Sequence, residues 1–474
     1  MTPETFAELA GQNYNRIPVT RELQADLETP LSVYLKLAHG PNSYLFESVQ
    51  GGEKWGRYSL IGLQTSTVLK VYGQRLEIIR NGKPMVNRQT KDPLAEVERF
   101  RQLFSMPDLP DLPRFTGGLV GYFGYDSVRY VEPRLAKSTP KDQLNTPDIL
   151  LMASDEVAIF DNLSGTLMLV VHVDAAESQG FQSAHKRLDE LERKLTVSIP
   201  QLPAMEANEV EACEDAFQSS FGRSEFLSAV EKIKDYVMAG DAMQVVPSQR
   251  LSAPFSGSPL NLYRALRRLN PSPYMYYLNL DDFYIVGSSP EVLARLEDGQ
   301  VTVRPIAGTR RRGATAEEDL AMEKEMLNDP KEIAEHLMLI DLGRNDVGRI
   351  SKTGTVQVTE KMVVERYSHV MHITSNVVGD VNDDMNPIEV LKATLPAGTL
   401  SGAPKIRAME IIDEVEPVKR CIYGGAVGYI GWNGNMDTAI AIRTAVIKDG
   451  QLHIQSGAGV VADSLPELEW KETM

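Results

Sequence analysis

Residues 75–86 read Arg75-Leu76-Glu77-Ile78-Ile79-Arg80-Asn81-Gly82-Lys83-Pro84-Met85-Val86, two extended runs on either side of an Asn-Gly pair. Both central residues of a type I′ turn need φ > 0, which Asn and Gly accept, so the stretch predicts an antiparallel hairpin. Outward from it, strand and helix signals mix along the chain. Thr29-Pro30 opens a helical pattern through Leu31, Val33, Tyr34 and Leu37, and residues 44–48 are extended. Asp92-Pro93 starts a helix reaching about Phe104, and 117–124 is Gly-rich strand material. Residues 149–159 and 166–173 form another β pair, joined through Asp161-Asn162-Leu163-Ser164-Gly165, and 182–195 is an amphipathic helix.

Residues 198–216 turn Pro-, Ala- and Glu-rich without a sustained period. They predict a linker between an N-terminal region, 1–197, and a C-terminal region, 217–474. Beyond it 225–238 is helical with Gly240 past its end, 244–251 is extended and 259–269 is helical. Residues 274–285 and 301–306 read as a sheet region turning at Asp281-Asp282 and Asp298-Gly299. Two helices follow. The second opens at Asp329-Pro330, carries Glu332 at its third position as an acidic capping box, and runs to about Arg349. Strands near 370–378, 427–430, 438–447 and 452–455 precede a short C-terminal helix.

The chain of 474 residues sets 49 Lys and Arg against 65 Asp and Glu, a net charge of −16. Such a surface repels phosphate backbones and anionic headgroups, and the short basic run Arg310-Arg311-Arg312 makes no stripe. No nucleic acid and no membrane is expected as a partner. No apolar run approaches the ~18 residues of a membrane span, and the first thirty residues lack a signal's apolar segment. Two cysteines, Cys213 and Cys421, build neither a disulfide framework nor a zinc site. A cytoplasmic location is expected.

Several patterns carry chemistry only in company. Gly457-Ala458-Gly459-Val460-Val461-Ala462 fits G-x-G-x-x-A after a strand, but a dinucleotide fold needs an acidic residue about 20 positions on, past Met474. What survives is a turn whose backbone N–H groups can approach an anion such as a carboxylate. Glu332 and Glu335 lie three apart on one helix, and Glu469 and Glu472 repeat the spacing, so each pair presents two carboxylates on one face. Facing one another they could hold Mg²⁺. Glu206 and Glu209 share that spacing in the linker, however, and such a pair is also the pattern of any solvated helix face. His372 falls on the more polar side of its strand, where it reads either as a structural histidine or as a general acid/base. Three tracts, 287–291, 304–309 and 396–405, are rich in Gly, Pro, Ser and Thr beside charge, and read blandly as turns.

Taken together in order, these tracts resemble the chorismate-utilising enzymes, and among them the large synthase subunits that make anthranilate. The likeness runs along nearly the whole chain: Leu45-Phe46-Glu47-Ser48, Gln244-Val245-Val246-Pro247-Ser248, Pro273-Tyr274-Met275, the three tracts, Glu335-His336-Leu337-Met338 through Arg344-Asn345-Asp346, and Gly457-Ala458-Gly459. The resemblance implies an α/β (α+β) fold in which two stacked, mainly antiparallel sheets lie between outer helices. It implies that ammonia adds at C2 of chorismate as the C4 hydroxyl leaves, and that pyruvate is then eliminated to give anthranilate, a lyase reaction of tryptophan biosynthesis.

By the same resemblance Glu335 and Glu472, with Glu332 and Glu469 around them, bind Mg²⁺. Arg443, Tyr423, Gly457, Ala458 and Gly459 contact the substrate's carboxylates, with Gly308 and Thr309 near its polar groups. Glu291 is the general acid for the departing hydroxyl and His372 serves removal of the C2 proton, with Gln244 and Thr399 also among the catalytic positions. Aminodeoxychorismate synthases carry a lysine nucleophile where Ala307 stands, and isochorismate synthases a water-activating lysine where Gln244 stands, so ammonia is the expected nucleophile. No glutaminase motif is visible, so a separate glutaminase subunit, in a hetero-oligomer, is expected to supply it. Glu47 and Ser48 with Pro273, Tyr274, Met275 and Lys54 resemble a site for feedback inhibition by tryptophan. Family chains continue past the helix of Glu469 and Glu472 and bring a further lysine toward the substrate, whereas this sequence ends at Met474, which puts the order of that helix in question. Two alternatives stay open: an aminodeoxyisochorismate synthase that stops before pyruvate loss, and a catalytically silent amino-acid-binding regulatory subunit.

Overall fold

The strand Ile149–Ser154, sequence ILLMAS, is buried along its whole length, because one face meets a second sheet and the other meets helices. The same alternation recurs across the molecule. Leu69, Leu119 and Leu151 pack with the helix residues Val97, Phe100, Ile340 and Leu391. Val68, Val120, Leu150 and Met152, one step along their strands, instead pack with Tyr276, Leu278 and Ile285 of the opposite sheet. On that sheet's far side Leu45, Tyr277 and Val286 lie under Leu188, Leu191 and Tyr263 of further helices. A period of two on each strand therefore builds four layers, helices, sheet, sheet and helices, as the resemblance implies.

The computed structural model describes residues 1–12, 14–48, 56–110, 112–177, 179–198, 216–367 and 370–474. Lys54 and nearly all of the expected linker 198–216 lie outside the described residues. One sheet runs, in spatial order, Ile17–Gln24, Thr166–Val173, Glu156–Asp161, Tyr58–Gly62, Ser43–Glu47, Tyr274–Asn279, Phe283–Ser289, Thr444–Lys448, Gln451–Gly457, Ser248–Pro254 and Gln218–Ser219. The other runs Ile306–Arg311, Val370–Asp380, Gln300–Val303, Val292–Glu297, Met436–Ile440, Ala426–Gly431, Gly118–Phe123, Ile149–Ser154, Thr67–Tyr72, Arg75–Arg80 and Lys83–Gln89, with Gln357–Arg366 also against Val370–Asp380. In each sheet one seam joins the early part of the chain to the late part. Glu47 stands opposite Met275 in one, and Tyr122 opposite Val427 in the other.

The chain passes from sheet to sheet at Asp155, at Pro290-Glu291 and at Ala441-Ile442-Arg443. Residues 149–159 and 438–447, each read from sequence as one strand, are therefore each two strands in different sheets. Residues 244–251 also divide: Gln244–Val245 pairs with Gly402–Ala403, and Ser248–Pro254 enters the first sheet after Pro247. The hairpin at 75–86 forms, with Asn81 at φ 51° and Gly82 at φ 70°. At Asp329 the expected capping box is not reciprocal. The Asp329 side chain accepts from Lys331 N, while the Glu332 carboxylate turns to Arg310 Nη1 at 2.8 Å. The C-terminal helix Pro466–Thr473 is ordered by Trp470, whose ring meets Phe226 edge-on at 5.4 Å, and by Gln249 Nε2 donating to Thr473 Oγ1 at 2.7 Å. Among the described residues no helix is long and apolar enough to cross a membrane.

Candidate active site

Two of the sheet crossings stand side by side: Ile440 N donates to the Glu291 carbonyl at 3.0 Å, and Ser288 N to the Arg443 carbonyl at 3.0 Å. Arg443 takes up φ 49° there, a left-handed conformation rare for its type. The crossings thus set an acid, Glu291, and a cation, Arg443, on the wall of one cavity of about 860 Å³. The three Gly- and Pro-rich tracts all reach it, through Pro290 and Glu291, through Gly308 and Thr309, and through Thr399.

Glu291 is 7% exposed. Burial pushes its carboxyl up to about 8, against smaller opposing effects from the Thr399 hydrogen bond and the Arg443 charge. Thr399 Oγ1 donates to it at 3.3 Å. At neutral pH this group is an acid holding its proton. His372 lies across the strand pairing with Thr309, where a bulge between Ala307 and Thr309 takes Gly308 to φ +64°. That turn aims the Gly308 carbonyl at His372 Nδ1, 3.0 Å away. A carbonyl only accepts, so Nδ1 carries the hydrogen and Nε2 keeps its lone pair. Burial, aided by the Arg443 charge, lowers the imidazole's pKa, with the Gly308 bond and Glu365 opposing. The neutral ring is therefore a base at pH 7. Among the described residues Arg443 has no side-chain hydrogen bond or ion pair to protein, and burial lowers its pKa as well.

Gln244, Tyr423, Gly457 and Gly459 line the same cavity, as do Glu332, Glu335 and Glu472. Gln244 Nε2 donates to Glu335 Oε1 at 3.3 Å, and an added Cβ on Gly459 would stand 2.6 Å from that nitrogen, so glycine is what lets the loop approach. Ala458 does not line the space, and its amide is committed to the Pro247 carbonyl at 3.1 Å. Glu469 is not among the residues lining the space, but its charge, with that of Glu335, adds to burial in raising the Glu472 carboxyl. Among the described residues no three His, Cys, Asp or Glu side chains stand close enough to cage an ion unaided. The donor set is nonetheless all carboxylate, which Mg²⁺ prefers, and the mutual repulsion at Glu472 is what a divalent cation relieves. The residues fit the ion.

Two participants had no role in the sequence reading. Arg310, noted there only within a basic run, braces Glu332 and also pairs with Asp329 at 3.0 Å. Tyr367 meets the His372 ring edge-on at 5.5 Å and donates to Glu365 Oε2 at 3.0 Å. An aromatic five residues before a strand histidine carries no signal of its own, because that spacing matches neither the period of a strand nor that of a helix.

A second pocket, of about 80 Å³, opens between the sheets at the seam of Ser43–Glu47 with Tyr274–Asn279. It gathers Glu47, Ser48, Pro273, Tyr274 and Met275. The Glu47 carboxylate is already engaged by Arg267 at 3.0 Å and by Tyr263. Tyr276 also lines this pocket, and its hydroxyl meets Thr444 Oγ1, on the wall of the large cavity, at 2.5 Å.

Residues 41–474 match the model of the chorismate binding enzyme family. The chain is 60% identical over 474 residues to anthranilate synthase component 1 of Pseudomonas putida, covering all of this chain and 96% of that protein. It is 57% identical over 476 residues to anthranilate synthase component 1 of Neisseria meningitidis serogroup B, with the same coverage. Among solved structures, anthranilate synthase component I from Streptococcus pneumoniae TIGR4 superposes with a TM-score of 0.77 at 36% identity, over 96% of this chain and 97% of that one. MenF, the menaquinone-specific isochorismate synthase from Escherichia coli, shares the fold at 19% identity and a TM-score of 0.71, over 99% and 96%. With a family match over nine-tenths of its length and relatives of this identity, the chain belongs to the chorismate-binding enzymes.

Proposed function

We propose that the protein converts chorismate and ammonia to anthranilate and pyruvate, as the component I of an anthranilate synthase. What carries this is the placing of Glu291, His372 and Arg443 on one cavity, where burial raises the Glu291 carboxyl to about 8 and lowers the His372 imidazole and where Arg443 has no side-chain partner among the described residues. Such a pair suits a reaction with two opposite proton demands. Glu291 gives its proton to the departing C4 hydroxyl while ammonia adds at C2. His372 Nε2 then takes the C2 proton as pyruvate leaves and the ring becomes aromatic. Arg443 and the Tyr423 hydroxyl orient the carboxylates in a protein of charge −16. Mg²⁺, held by Glu335 and Glu472 with Glu332 and Glu469 around them, would neutralise the ring carboxylate. A separate glutaminase subunit supplies ammonia, tryptophan binding at the smaller pocket is the regulatory input, and the setting is the cytoplasm.

His372→Met keeps bulk but cannot titrate. It should still consume chorismate with Mg²⁺ and ammonium, and release an aminated, non-aromatic product that retains the enolpyruvyl group. Time-resolved mass analysis distinguishes the outcomes. Parent-level anthranilate would return His372 to a structural role, and equal loss of both products would make it a substrate-positioning group.

Ser48→Phe should fill the smaller pocket, weakening tryptophan binding at least about tenfold while the uninhibited rate stays near that of the parent. Titration calorimetry with tryptophan is the test, and unchanged affinity would remove the assignment. Allosteric coupling is reciprocal, so chorismate and tryptophan should weaken each other's binding by one factor.

A further inference from the structure

A third cavity, of about 50 Å³, lies behind Glu291. Its walls are Val303, Arg304 and Pro305, one face of the helix Pro330–Gly348 through Leu342, Gly343 and Asp346, and the turn between Thr394 and Thr399. Glu291, Thr399 and Leu339 line both this space and the large cavity, so the acid stands between the two. A water needs about 10–15 Å³ of such volume, so the space takes a few waters and excludes a ring dicarboxylate. Asp346 offers a polar wall, paired with Lys405 at 2.6 Å, and Lys405 Nζ also donates to the Thr394 carbonyl at 3.3 Å. Leu342 and Gly398 are half-buried, which opens this side toward solvent.

The acid needs such a space. Glu291 yields one proton per turnover, and the C4 hydroxyl leaves as water beside it. The small cavity offers both a path apart from the substrate, because Glu291 lines it as well as the large cavity. We propose that the small cavity is the water passage of Glu291, which removes the water formed from the C4 hydroxyl and returns a proton from the Asp346 side. The inference rests on the chorismate amination proposed above. In the step, the C2–N bond forms as the C4–O bond breaks. The C4–O pair goes to oxygen, which takes the Glu291 proton and leaves as water. The ammonium formed at C2 releases one proton to solvent, and the Glu291 carboxylate takes one proton back from solvent, relayed through the cavity waters, so that no hydroxide is left over.

Gly343→Ala and Leu342→Phe narrow the passage without touching the large cavity. The alanine Cβ would stand 3.2 Å from Val303 Cγ2 and 3.4 Å from Pro305 Cγ, so the wall gives by a few tenths of an ångström. In both variants kcat for chorismate consumption should fall about fivefold and its solvent deuterium isotope effect should rise, with KM for chorismate and for ammonium unchanged. Asp346→Asn, which keeps volume and loses the titrating group, should raise the isotope effect as well. Parent values of kcat and isotope effect in both narrowed variants, at the parent's melting temperature, overturn the proposal. A raised KM for ammonium with an unchanged isotope effect overturns it too, because the space then carries the nucleophile. Glu291→Gln runs alongside. If that variant consumes chorismate normally, it is the acid assignment that fails, and the two failures stay distinct.

Discussion

Glu291→Gln should stop chorismate consumption, lowering the rate by about a hundredfold or more, and should at the same time make the fold more stable. The two effects share one cause. The carboxyl ionises near 4.5 in an unfolded chain and only at about 8 in the folded one, where burial outweighs the Thr399 bond and the Arg443 charge. Between those pH values the folded state binds the additional proton, so the contribution of Glu291 to stability is fully present below 4.5 and is lost as pH rises through 8. Glutamine carries no such demand. At pH 7.5 the variant should melt higher, by the equivalent of about 1–3 kcal/mol, and the difference should shrink toward zero in acid. Activity of the parent should fall as pH rises through 8, where the acid form is used up. Calorimetry across pH, with product analysis of the same samples, checks all three. A variant that keeps a tenth of the parent rate contradicts the role of Glu291 as the acid.

Removing Glu335 or Glu472 should cost as much. Glu472 is raised by burial and by the charges of Glu469 and Glu335, and a substrate dicarboxylate brought to that wall adds two more like charges. Glu335→Ala and Glu472→Ala should each lower Mg²⁺-dependent turnover by more than about a hundredfold while the chain still folds. Turnover measured against added Mg²⁺ and against a chelator is the test, with circular dichroism as the control for folding. Full activity of either variant in chelator would remove the metal assignment. Glu472→Gln, which relieves repulsion without deleting bulk, should leave thermal stability unchanged or slightly raised.

How far the sequence could be read depended on whether a residue's local chemistry announced its place. Asn81-Gly82 could be little other than a hairpin turn, and the helix Pro259–Leu269 falls where its proline start and apolar period put it. The run at 438–447 carries no comparable mark. Its residues are apolar before and after the break, because both sheets bury both faces, so hydropathy is blind to the passage from Met436–Ile440 into Thr444–Lys448. Those passages are what place Glu291 and Arg443 together, so the site was legible through motif order and resemblance while its geometry was not. The glutamate pairs show the same limit from another side. Their spacing marks a helix face, but it could not show that Arg310 holds Glu332 or that Glu472 lines the cavity while Glu469 does not. Nor could it show the small cavity behind Glu291, whose walls come from three distant segments.

The two seams, Glu47 against Met275 and Tyr122 against Val427, bear on inheritance. Cut anywhere between the early and late strands, the polypeptide would leave four raw sheet edges, two on each fragment, and each would be a template for aggregation. A gene for either piece alone would encode a protein unfit to circulate, and recombination that exchanged one piece between diverged relatives would have to match strand to strand along both edges at once. The early strands are thus bound to be inherited with the late ones even where selection acts only on the late ones' chemistry, and a regulatory pocket built on such a seam travels with the catalyst as a single heritable unit.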